Sequence, residues 1–235
     1  LRLPSALAAS AWVSATYYFA KPRLSPRSAM MAAVMVACSA MIVLIGRAAI
    51  ADALLNLLLA LSLFDIWRYW EQPRHHLLLR IFLWLGLGFL CKGPIAVAIP
   101  LVVSGCLYIA HGQWQAWWRT LLNPYGLLLF IAVAAPWYVL EYQAQGQAFI
   151  DGFFFKHNLK RFSDTMEGHG GSVWYYLMAL PFIILPFSGL LLSLFKQLPQ
   201  LIQQPWQRFL WCWFGFVLVF FSFSNTQLPH YLLYG

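Results

Sequence analysis

The residues best suited to bind an anion lie in one polar stretch, Glu141 to Ser172, between two hydrophobic runs. Three fixed positive charges and one imidazole fall there within six residues, at Lys156, His157, Lys160 and Arg161. In a helix they would form two i,i+4 pairs on one face, and the phenylalanines beside them would anchor the segment at a membrane interface. The pattern predicts a docking site for an anionic headgroup. An ordinary interfacial loop with basic and aromatic anchors is the alternative.

Composition places this stretch in a membrane protein. The chain has 62% hydrophobic and 9% charged residues, whereas soluble domains carry roughly 25% charged residues. A net charge of +8 would suit a nucleic-acid partner in a soluble chain. Here the basic residues are scattered through short loops and form no basic tract, which favours membrane orientation and phosphate groups instead. We expect no nucleic-acid partner.

The cysteines and the metal-binding residue types give no chemical signal. The four cysteines, Cys38, Cys91, Cys106 and Cys212, lie in apolar runs without CxxC or Cys/His spacing. We expect them to be buried small hydrophobes. The sequence contains no metal motif, and a requirement for a divalent cation stays open.

Apolar runs divide the chain into spans close to the ~20 residues that cross a bilayer. They cover residues 4–20, 28–46, 53–70, 77–91, 95–110, 124–140, 173–195 and 209–223. The sequence therefore predicts an all-α integral membrane protein, a polytopic transmembrane helix bundle with about eight spans and the start of a ninth. We expect a single transmembrane domain over residues 1–235, truncated at both ends because Leu1 is not a methionine and the last apolar run stops at Gly235.

The distribution of basic residues sets the orientation. If residues 21–27 are cytoplasmic, nine of the fifteen basic residues lie inside, as the positive-inside rule requires. These nine are Lys21, Arg23, Arg27, Arg68, Arg74, Arg80, Arg119, Lys196 and Arg208. The other six are Arg2, Arg47, Lys92, Lys156, Lys160 and Arg161. They share the outer face with Asp52 and His230, so we expect the functional site on that face, with residues 141–172 as a periplasmic loop.

Three outer-face residues each have a purely structural interpretation as well. Asp52 could cap the helix that begins there. Lys92 closes an apolar run of fifteen residues, about 22 Å of helix against ~30 Å of hydrocarbon, so its ammonium either snorkels or meets an anion in a cavity. His230 follows a polar break that could line a cavity, and a lone histidine there is often a satisfied interfacial residue.

Several short motifs, in this order, resemble a known family. The chain carries RAAIAD at residues 47–52, LCKGP at 90–94, PWYV at 136–139, HNLKRF at 157–162, HGGSVWYYL at 169–177 and LPHYLL at 228–233. Together they resemble the lipid-carrier-dependent glycosyltransferases of the GT-C fold. The most similar branch is the bacterial group that contains the lipid A aminoarabinose transferase and relatives of the protein O-mannosyltransferases.

The resemblance implies a reaction and a location. Such an enzyme moves a sugar from a polyprenyl-phosphate carrier to a lipid A or lipopolysaccharide-type acceptor or to a protein, at the periplasmic face of the bacterial inner membrane. Its partners would be that donor, the acceptor and membrane lipids. On this interpretation Asp52 is catalytic, and the carrier phosphate is bound by Lys92, His157, Lys160, Arg161 and His230.

The chain also departs from the family pattern. Members carry an acidic Asp-Glu motif in the first periplasmic loop, followed by a Lys-Pro element, and both are expected upstream of Leu1. The main catalytic carboxylate would then lie upstream, and the fragment would be inactive alone. Lys21 and Pro22 lie in a predicted cytoplasmic loop and are not that element.

Two other classes of protein stay open at this point. A membrane transporter for an amphipathic anion would also collect cations in a cavity, but it would favour broken helices at mid-membrane and an internal repeat, and the sequence shows no convincing repeat. A non-catalytic membrane scaffold would need no carboxylate beside the cations. An Asp-Glu pair upstream would favour the transferase.

Overall fold

The computed structural model describes residues 2–152 and 172–235, and every regular element in them is helical. The α-helices are α1 (Leu3–Ala20), α2 (Pro26–Cys38), α3 (Ala40–Arg47), α4 (Asp52–Glu71), α5 (His75–Lys92), α6 (Ile95–Ala110), α7 (Trp114–Leu121), α8 (Pro124–Gln145), α9 (Gln147–Ile150), α10 (Tyr175–Ile183), α11 (Leu190–Leu201) and α12 (Pro205–Ser222). Short 3-10 helices lie at Phe187–Gly189 and Pro229–Tyr234. The all-α prediction is confirmed for these residues.

Length and composition identify fewer spans than the apolar runs do. Among the described residues, α4, α5 and α8 are long and apolar enough to cross a membrane. The pair α2 and α3, bent by 57° at Ser39, would be a fourth if it forms one span. Helix α6 covers its predicted run but has only sixteen residues. The count of eight spans stays a prediction.

Helix α4 is the centre of the bundle. Thirteen of its twenty residues are buried, and it packs against α1, α5 and α6. Leu55, Leu59 and Leu63 lie fully inside the core, as expected of a helix that is apolar all round. A charged side chain buried on α4 therefore needs a partner close by.

Local sequence signals set several helix ends. Ser25 and Asn123 each accept a hydrogen bond from a backbone N–H in the first turn of the following helix, and a proline follows each cap. This is the usual chemistry of a helix start. Helix α5 ends at Lys92 and is followed by Gly93, whose φ of +70° is strained for other residues. The predicted separation of the apolar runs 77–91 and 95–110 is confirmed here.

Helix α7 lies between the apolar runs 95–110 and 124–140, where the sequence predicted no span. Its three tryptophans pack on one another, and Trp117 Nε1 donates a hydrogen bond to Ser104 Oγ at 3.0 Å. A hydropathy run identifies helices that are apolar all round, so it misses a short helix with one aromatic and one polar face.

The cysteines are not buried as predicted. Cys38 and Cys106 are exposed, Cys91 and Cys212 are half-buried, and all four are free thiols. The prediction was wrong because an apolar position in a membrane helix can face lipid as well as the protein core.

Contacts between the loops show which loops lie at the same end of the bundle. The loops that the charge pattern placed in the cytoplasm meet at the end of α4, which we call the Glu71 end. The contacts are the ion pair between Arg23 and Glu71, the bond from Trp70 Nε1 to Gln113 Oε1 at 2.9 Å, and the contact of Arg208 Nη2 with His111 Nε2 at 3.1 Å. The opposite end, where α4 begins, is called the Asp52 end. Which end faces the periplasm stays a prediction.

The closest helix packing can be tested at Gly126, where α8 lies on α5. A Cβ added at Gly126 would approach ring atoms of Phe82 to 2.3 Å, and Phe82 is buried. We expect Gly126→Ala to destabilise the protein by about 1–3 kcal/mol through overpacking. Thermal unfolding in detergent measures the change.

Gly215 in α12 provides the matched control, since a Cβ there meets nothing within 4 Å. Gly215→Ala should leave the unfolding midpoint unchanged or raise it through helix propensity. Equal midpoints for Gly126→Ala and wild type would contradict the packing described here.

Candidate functional site

Backbone contacts fix the start of α4. Ser5 Oγ donates a hydrogen bond to the Ile50 carbonyl at 3.0 Å, and Cys91 Sγ lies 3.6 Å from the Ala51 carbonyl. Asp52 is the first residue of the helix, and Ala51 holds the capping position without a side-chain hydrogen bond. The interpretation of Asp52 as a helix cap is therefore wrong, although its charge still lies favourably at the positive end of the helix dipole.

The Asp52 carboxylate forms an ion pair with Lys92. The two side chains meet because α4 and α5 are consecutive helices joined by a short loop, so the start of α4 lies beside the end of α5. Lys92 Nζ is 2.5 Å from Asp52 Oδ1. Asp52 is only 5% exposed, and a carboxylate so deeply buried needs a cation or strong donors.

Tyr234 completes this contact from the end of the chain. Its hydroxyl donates a hydrogen bond to Asp52 Oδ1 and accepts one from Lys92 Nζ at 2.7 Å. A phenol in its ordinary protonated form is both a donor and an acceptor, so one hydroxyl can bridge the carboxylate and the ammonium.

His230 lies at the edge of the same cluster. Its Nε2 is 3.6 Å from Asp52 Oδ1, and the pair is ionic only when the imidazole is protonated. The aromatic ring of Tyr231 packs edge-on against His230, and Lys92 Nζ lies 5.2 Å from the centre of that ring. The structure thus brings together three predicted site residues, Asp52, Lys92 and His230, which are up to 178 positions apart in the sequence.

Neighbouring helices hold the segment that carries His230 and Tyr234. The Tyr176 hydroxyl donates to the Leu228 carbonyl at 3.0 Å and accepts from the Leu228 N–H at 3.2 Å. Trp213 Nε1 donates to the Tyr234 carbonyl at 2.6 Å. Helices α10 and α12 therefore fix both ends of this segment, which keeps Tyr234 against Asp52.

The contacts leave donor and acceptor capacity at the centre of the cluster. An ammonium has three N–H donors, and Lys92 uses two of them on Asp52 and Tyr234. All three recorded side-chain contacts of Asp52 reach Oδ1, so within residues 2–152 and 172–235 its Oδ2 has no recorded partner. The cluster can therefore offer an N–H to an anion and a carboxylate oxygen to a donor.

An apolar groove opens one helical turn from Lys92. It lies between the end of α5 and the end of α8, has a volume of about 320 Å³, and its wall includes Phe89, Phe130, Tyr138 and Phe149. The Tyr138 hydroxyl donates to the Phe89 carbonyl at 3.0 Å, which ties the two helices together beside the groove. A smaller cavity of about 60 Å³, lined by Ile66 among others, lies toward the Glu71 end and away from the cluster.

Three predicted phosphate-binding residues cannot be placed. His157, Lys160 and Arg161 lie outside the described residues, as does Lys156. Arg47 is described; it ends α3 and is exposed.

Metal-binding capacity is limited in the part of the chain that the structure describes. No group of three or more His, Cys, Asp or Glu side chains is arranged there to hold an ion. Asp52 and His230 are the residues of those types that meet in the cluster.

Three polar residues to which the sequence assigned no role are prominent in the structure. Tyr234 is one, and the sequence feature that pointed to it was its position four residues after His230. Asn56 is another: it is 1% exposed, donates to the Asp52 carbonyl at 2.9 Å, and its Oδ1 has no partner among the described residues. The third is Asp65, a fully buried carboxylate near the other end of α4. A polar residue inside an apolar run was the available signal for both.

The anchoring of the His230 segment can be tested at Tyr176. Tyr176→Phe removes both hydrogen bonds to Leu228, which leaves buried backbone groups unpaired and should cost about 1–3 kcal/mol locally. We expect faster amide hydrogen exchange across residues 228–235 with the remaining helices unchanged.

Tyr175→Phe is the matched control, because no hydrogen bond of the Tyr175 hydroxyl is recorded within the described residues. Its exchange profile should equal that of the wild type. Unchanged exchange at residues 228–235 in Tyr176→Phe would show that Tyr176 does not hold the segment.

The sequence of this chain is similar to those of known transferases. The chain is 32% identical to the undecaprenyl phosphate-alpha-4-amino-4-deoxy-L-arabinose arabinosyl transferase of Pseudomonas aeruginosa, over 99% of this chain and 43% of that protein. It is 35% identical to the transferase of the same name from Pseudomonas paraeruginosa, over 63% of this chain and 26% of that protein. The chain thus spans less than half the length of these curated relatives.

Solved structures share the fold. The crystal structure of ArnT from Cupriavidus metallidurans bound to undecaprenyl phosphate superposes with a TM-score of 0.86 at 20% identity, covering 99% of this chain and 43% of that one. The apo structure of the same protein gives a TM-score of 0.83 over 42% of its length.

A family model matches more than half of the chain. The model described as dolichyl-phosphate-mannose-protein mannosyltransferase covers residues 1–139, which include Asp52 and Lys92. Together with the relatives, this match confirms the predicted kinship with lipid-carrier glycosyltransferases of the GT-C fold. The chain belongs to the dolichyl-phosphate-mannose-protein mannosyltransferase family.

Proposed function

We propose that the protein carrying this chain transfers a sugar from a polyprenyl-phosphate carrier to a lipid A or lipopolysaccharide-type acceptor, or to a protein. The reaction takes place at the periplasmic face of the bacterial inner membrane, in a bundle of about eight spans whose Asp52 end faces the periplasm. The observation that carries the proposal is the cluster of Asp52, Lys92, Tyr234 and His230 at one end of the bundle. Family membership and the names of the relatives support it.

Lys92 is suited to the carrier phosphate. When the glycosidic bond breaks, the leaving lipid phosphate gains negative charge. The third N–H of Lys92 is then a donor to that charge, inside a site of low water content where such a contact is strong. Because the charge grows along the reaction, the contact stabilises the transition state more than the bound donor.

Asp52 is suited to the sugar or the acceptor. Lys92 and Tyr234 hold Oδ1, which keeps the carboxylate ionised and fixes its direction. Oδ2 then accepts a hydrogen bond from the acceptor or faces the positive charge that develops on the sugar ring. Asp52 assists in this way a main catalytic carboxylate that the family pattern places upstream of Leu1.

The apolar groove supports a lipid-linked donor. Its wall begins at Phe89, one helical turn from Lys92, and almost all of its lining is apolar. A polyprenyl chain in this groove would bring its phosphate beside the Lys92 ammonium. His157, Lys160 and Arg161 would add positive charge from the loop of residues 141–172.

The bent pair of helices gives little support to the transporter alternative. Transporters use broken helices to bind substrates, but at the break at Ser39 the backbone N–H of Ala40 donates a hydrogen bond to the Leu185 carbonyl at 2.8 Å. The backbone group freed by the break is thus paired with neighbouring backbone. The ionisable groups of the site lie at a helix end instead, and the buried carboxylate among them also argues against a scaffold that needs no acid.

Asp52→Asn tests the role of the negative charge. The substitution keeps shape and the hydrogen bond from Tyr234 but removes the charge. We expect turnover of the full-length enzyme to fall at least tenfold, about 1.4 kcal/mol in barrier, with normal membrane insertion and thermal stability. The measurement is sugar transfer from a polyprenyl-phosphate donor, normalised to folded protein.

Asp151→Asn is the control for this test, since Asp151 is exposed and its side chain contacts only Gln147, at 3.4 Å, among residues 2–152 and 172–235. It should retain wild-type turnover. Unchanged turnover in Asp52→Asn would remove Asp52 from the chemistry and leave its role structural.

The basic loop residues are tested by Lys160→Ala, Arg161→Ala and the double variant in the full-length protein. Loss of a charge-assisted contact to phosphate should cost about 1.5–3 kcal/mol, or roughly ten- to a hundredfold in use of the donor. The yield of folded protein should hardly change. Arg27→Ala, at an exposed arginine of the Glu71 end, is the control. Wild-type transfer by all three loop variants would refute the assignment.

A further inference from the structure

A second buried carboxylate, Asp65, lies on α4 far from the cluster at Asp52. Thirteen residues of helix separate the two, which is about 20 Å. Asp65 is 0% exposed and lies six residues before the end of the helix, about 9 Å inside it. An ionised group at this depth of a membrane helix indicates a function or a required partner.

Three side chains surround Asp65. Arg68, one turn further on α4, pairs through Nη1 with Oδ1 at 3.0 Å. From the adjacent α5, Arg80 pairs through Nε with Oδ2 at 2.9 Å, and Trp84 Nε1 donates to Oδ2 at 3.0 Å. Both carboxylate oxygens are therefore occupied, and Asp65 acts as a fixed anchor for the two arginines.

The charges of this cluster do not cancel. One arginine would neutralise Asp65, but two are present. The neighbouring ion pair between Arg23 and Glu71 is neutral by itself. The guanidinium carbons of Arg23 and Arg68 lie 4.2 and 5.7 Å from the centre of the Phe19 ring, so the two groups form one patch. Three arginines and two carboxylates leave one positive charge on this patch.

Arg80 is the arginine with open hydrogen-bonding capacity. Its side chain is 42% exposed, against 28% for Arg68. Its Nε lies 2.9 Å from Asp65 Oδ2 in an ion pair but makes no hydrogen bond, and for the four N–H groups on its two terminal nitrogens there is no acceptor among residues 2–152 and 172–235. The ion pair holds the guanidinium beside Asp65, and the planar edge formed by Nη1 and Nη2 keeps its N–H donors.

That edge has the geometry for a phosphate. Two parallel N–H donors match two phosphate oxygens, and the contact is strongest where water is scarce. The anion available near a helix end in a membrane is the phosphate of a phospholipid, and basic residues at this depth together with an indole are typical of headgroup contacts. Trp84 supplies the indole, four residues after Arg80 on the same helix face.

We propose that Arg80, held by Asp65 and supported by Arg68, binds the phosphate of an anionic phospholipid in the leaflet at the Glu71 end of the bundle. Asp65 is a positioning residue in this site, and the ligand contributes the negative charge that the cluster lacks. The site is independent of sugar transfer, because about 20 Å of helix separates it from Asp52.

The test uses the full-length protein in a zwitterionic detergent, titrated with phosphatidylglycerol and followed by native mass spectrometry and thermal unfolding. We expect phosphatidylglycerol to bind and to raise the unfolding midpoint of the wild type. Arg80→Gln should weaken the apparent affinity about tenfold. Arg74→Gln, at an exposed loop arginine that contacts Gln72, should bind like the wild type.

A second Arg80 variant and two other ligands complete the test. Arg80→Lys retains the charge and loses the planar edge, so it should also bind more weakly, which covers the case in which Arg80→Gln does not fold. Phosphatidylcholine and inorganic phosphate at equal concentration should bind weakly and independently of Arg80. Wild-type affinity for phosphatidylglycerol in both Arg80 variants would overturn the proposal, as would equal, Arg80-dependent binding of inorganic phosphate.

Discussion

The ion pair between Asp52 and Lys92 is the interaction on which the Asp52 end of the structure depends. A carboxylate that is 5% exposed cannot remain charged in a membrane protein without a partner. The cation must come from another helix, because α4 carries no basic residue before Arg68. The pair therefore requires the start of α4, the end of α5 and the Tyr234 segment to lie together.

The same constraint shapes the other end of α4. Asp65 is also buried, and it draws Arg80 and Trp84 from α5 as Asp52 draws Lys92. Helices α4 and α5 are thus joined by an ionic contact near each end, with apolar packing between them. The two contacts differ in charge: the Asp52–Lys92 pair is neutral by itself, whereas the Asp65 cluster keeps one positive charge. This difference follows from the number of cations at each carboxylate.

Within the described residues, neither cluster uses all its polar capacity. There, Lys92 has one N–H, Asp52 one carboxylate oxygen and Arg80 its two terminal nitrogens without a hydrogen-bond partner. Buried polar groups that are satisfied internally only stabilise a fold, whereas partly satisfied groups at an accessible helix end are suited to bind a ligand. Apolar surface lies next to the first cluster, in the groove at Phe89. An amphipathic ligand with a phosphate suits this arrangement, because its phosphate matches the polar cluster and its hydrocarbon chain matches the apolar groove.

The sequence by itself determined the class of the protein, the positions of most helices and three members of the site. Apolar runs located α4, α5 and α6 within a few residues, since helix formation in lipid depends on local composition. The gathering of Asp52, Lys92 and His230 on one face followed from counting loops. The motifs indicated the family. These properties depend on residue type and on distances along the chain, which a sequence contains.

Only the tertiary structure decided which groups touch. The sequence left Asp52 open as a helix cap, and its contact with Lys92 appears only when α4 and α5 lie side by side. It assigned no role to Tyr234, because its partner Asp52 lies 182 positions away. It assigned none to Asp65 either: Arg68 is a local i,i+3 partner, but the partners Arg80 and Trp84 on α5 are brought to Asp65 only by helix packing. Side-chain contacts between helices depend on packing angle and register, and neither is encoded in a local pattern.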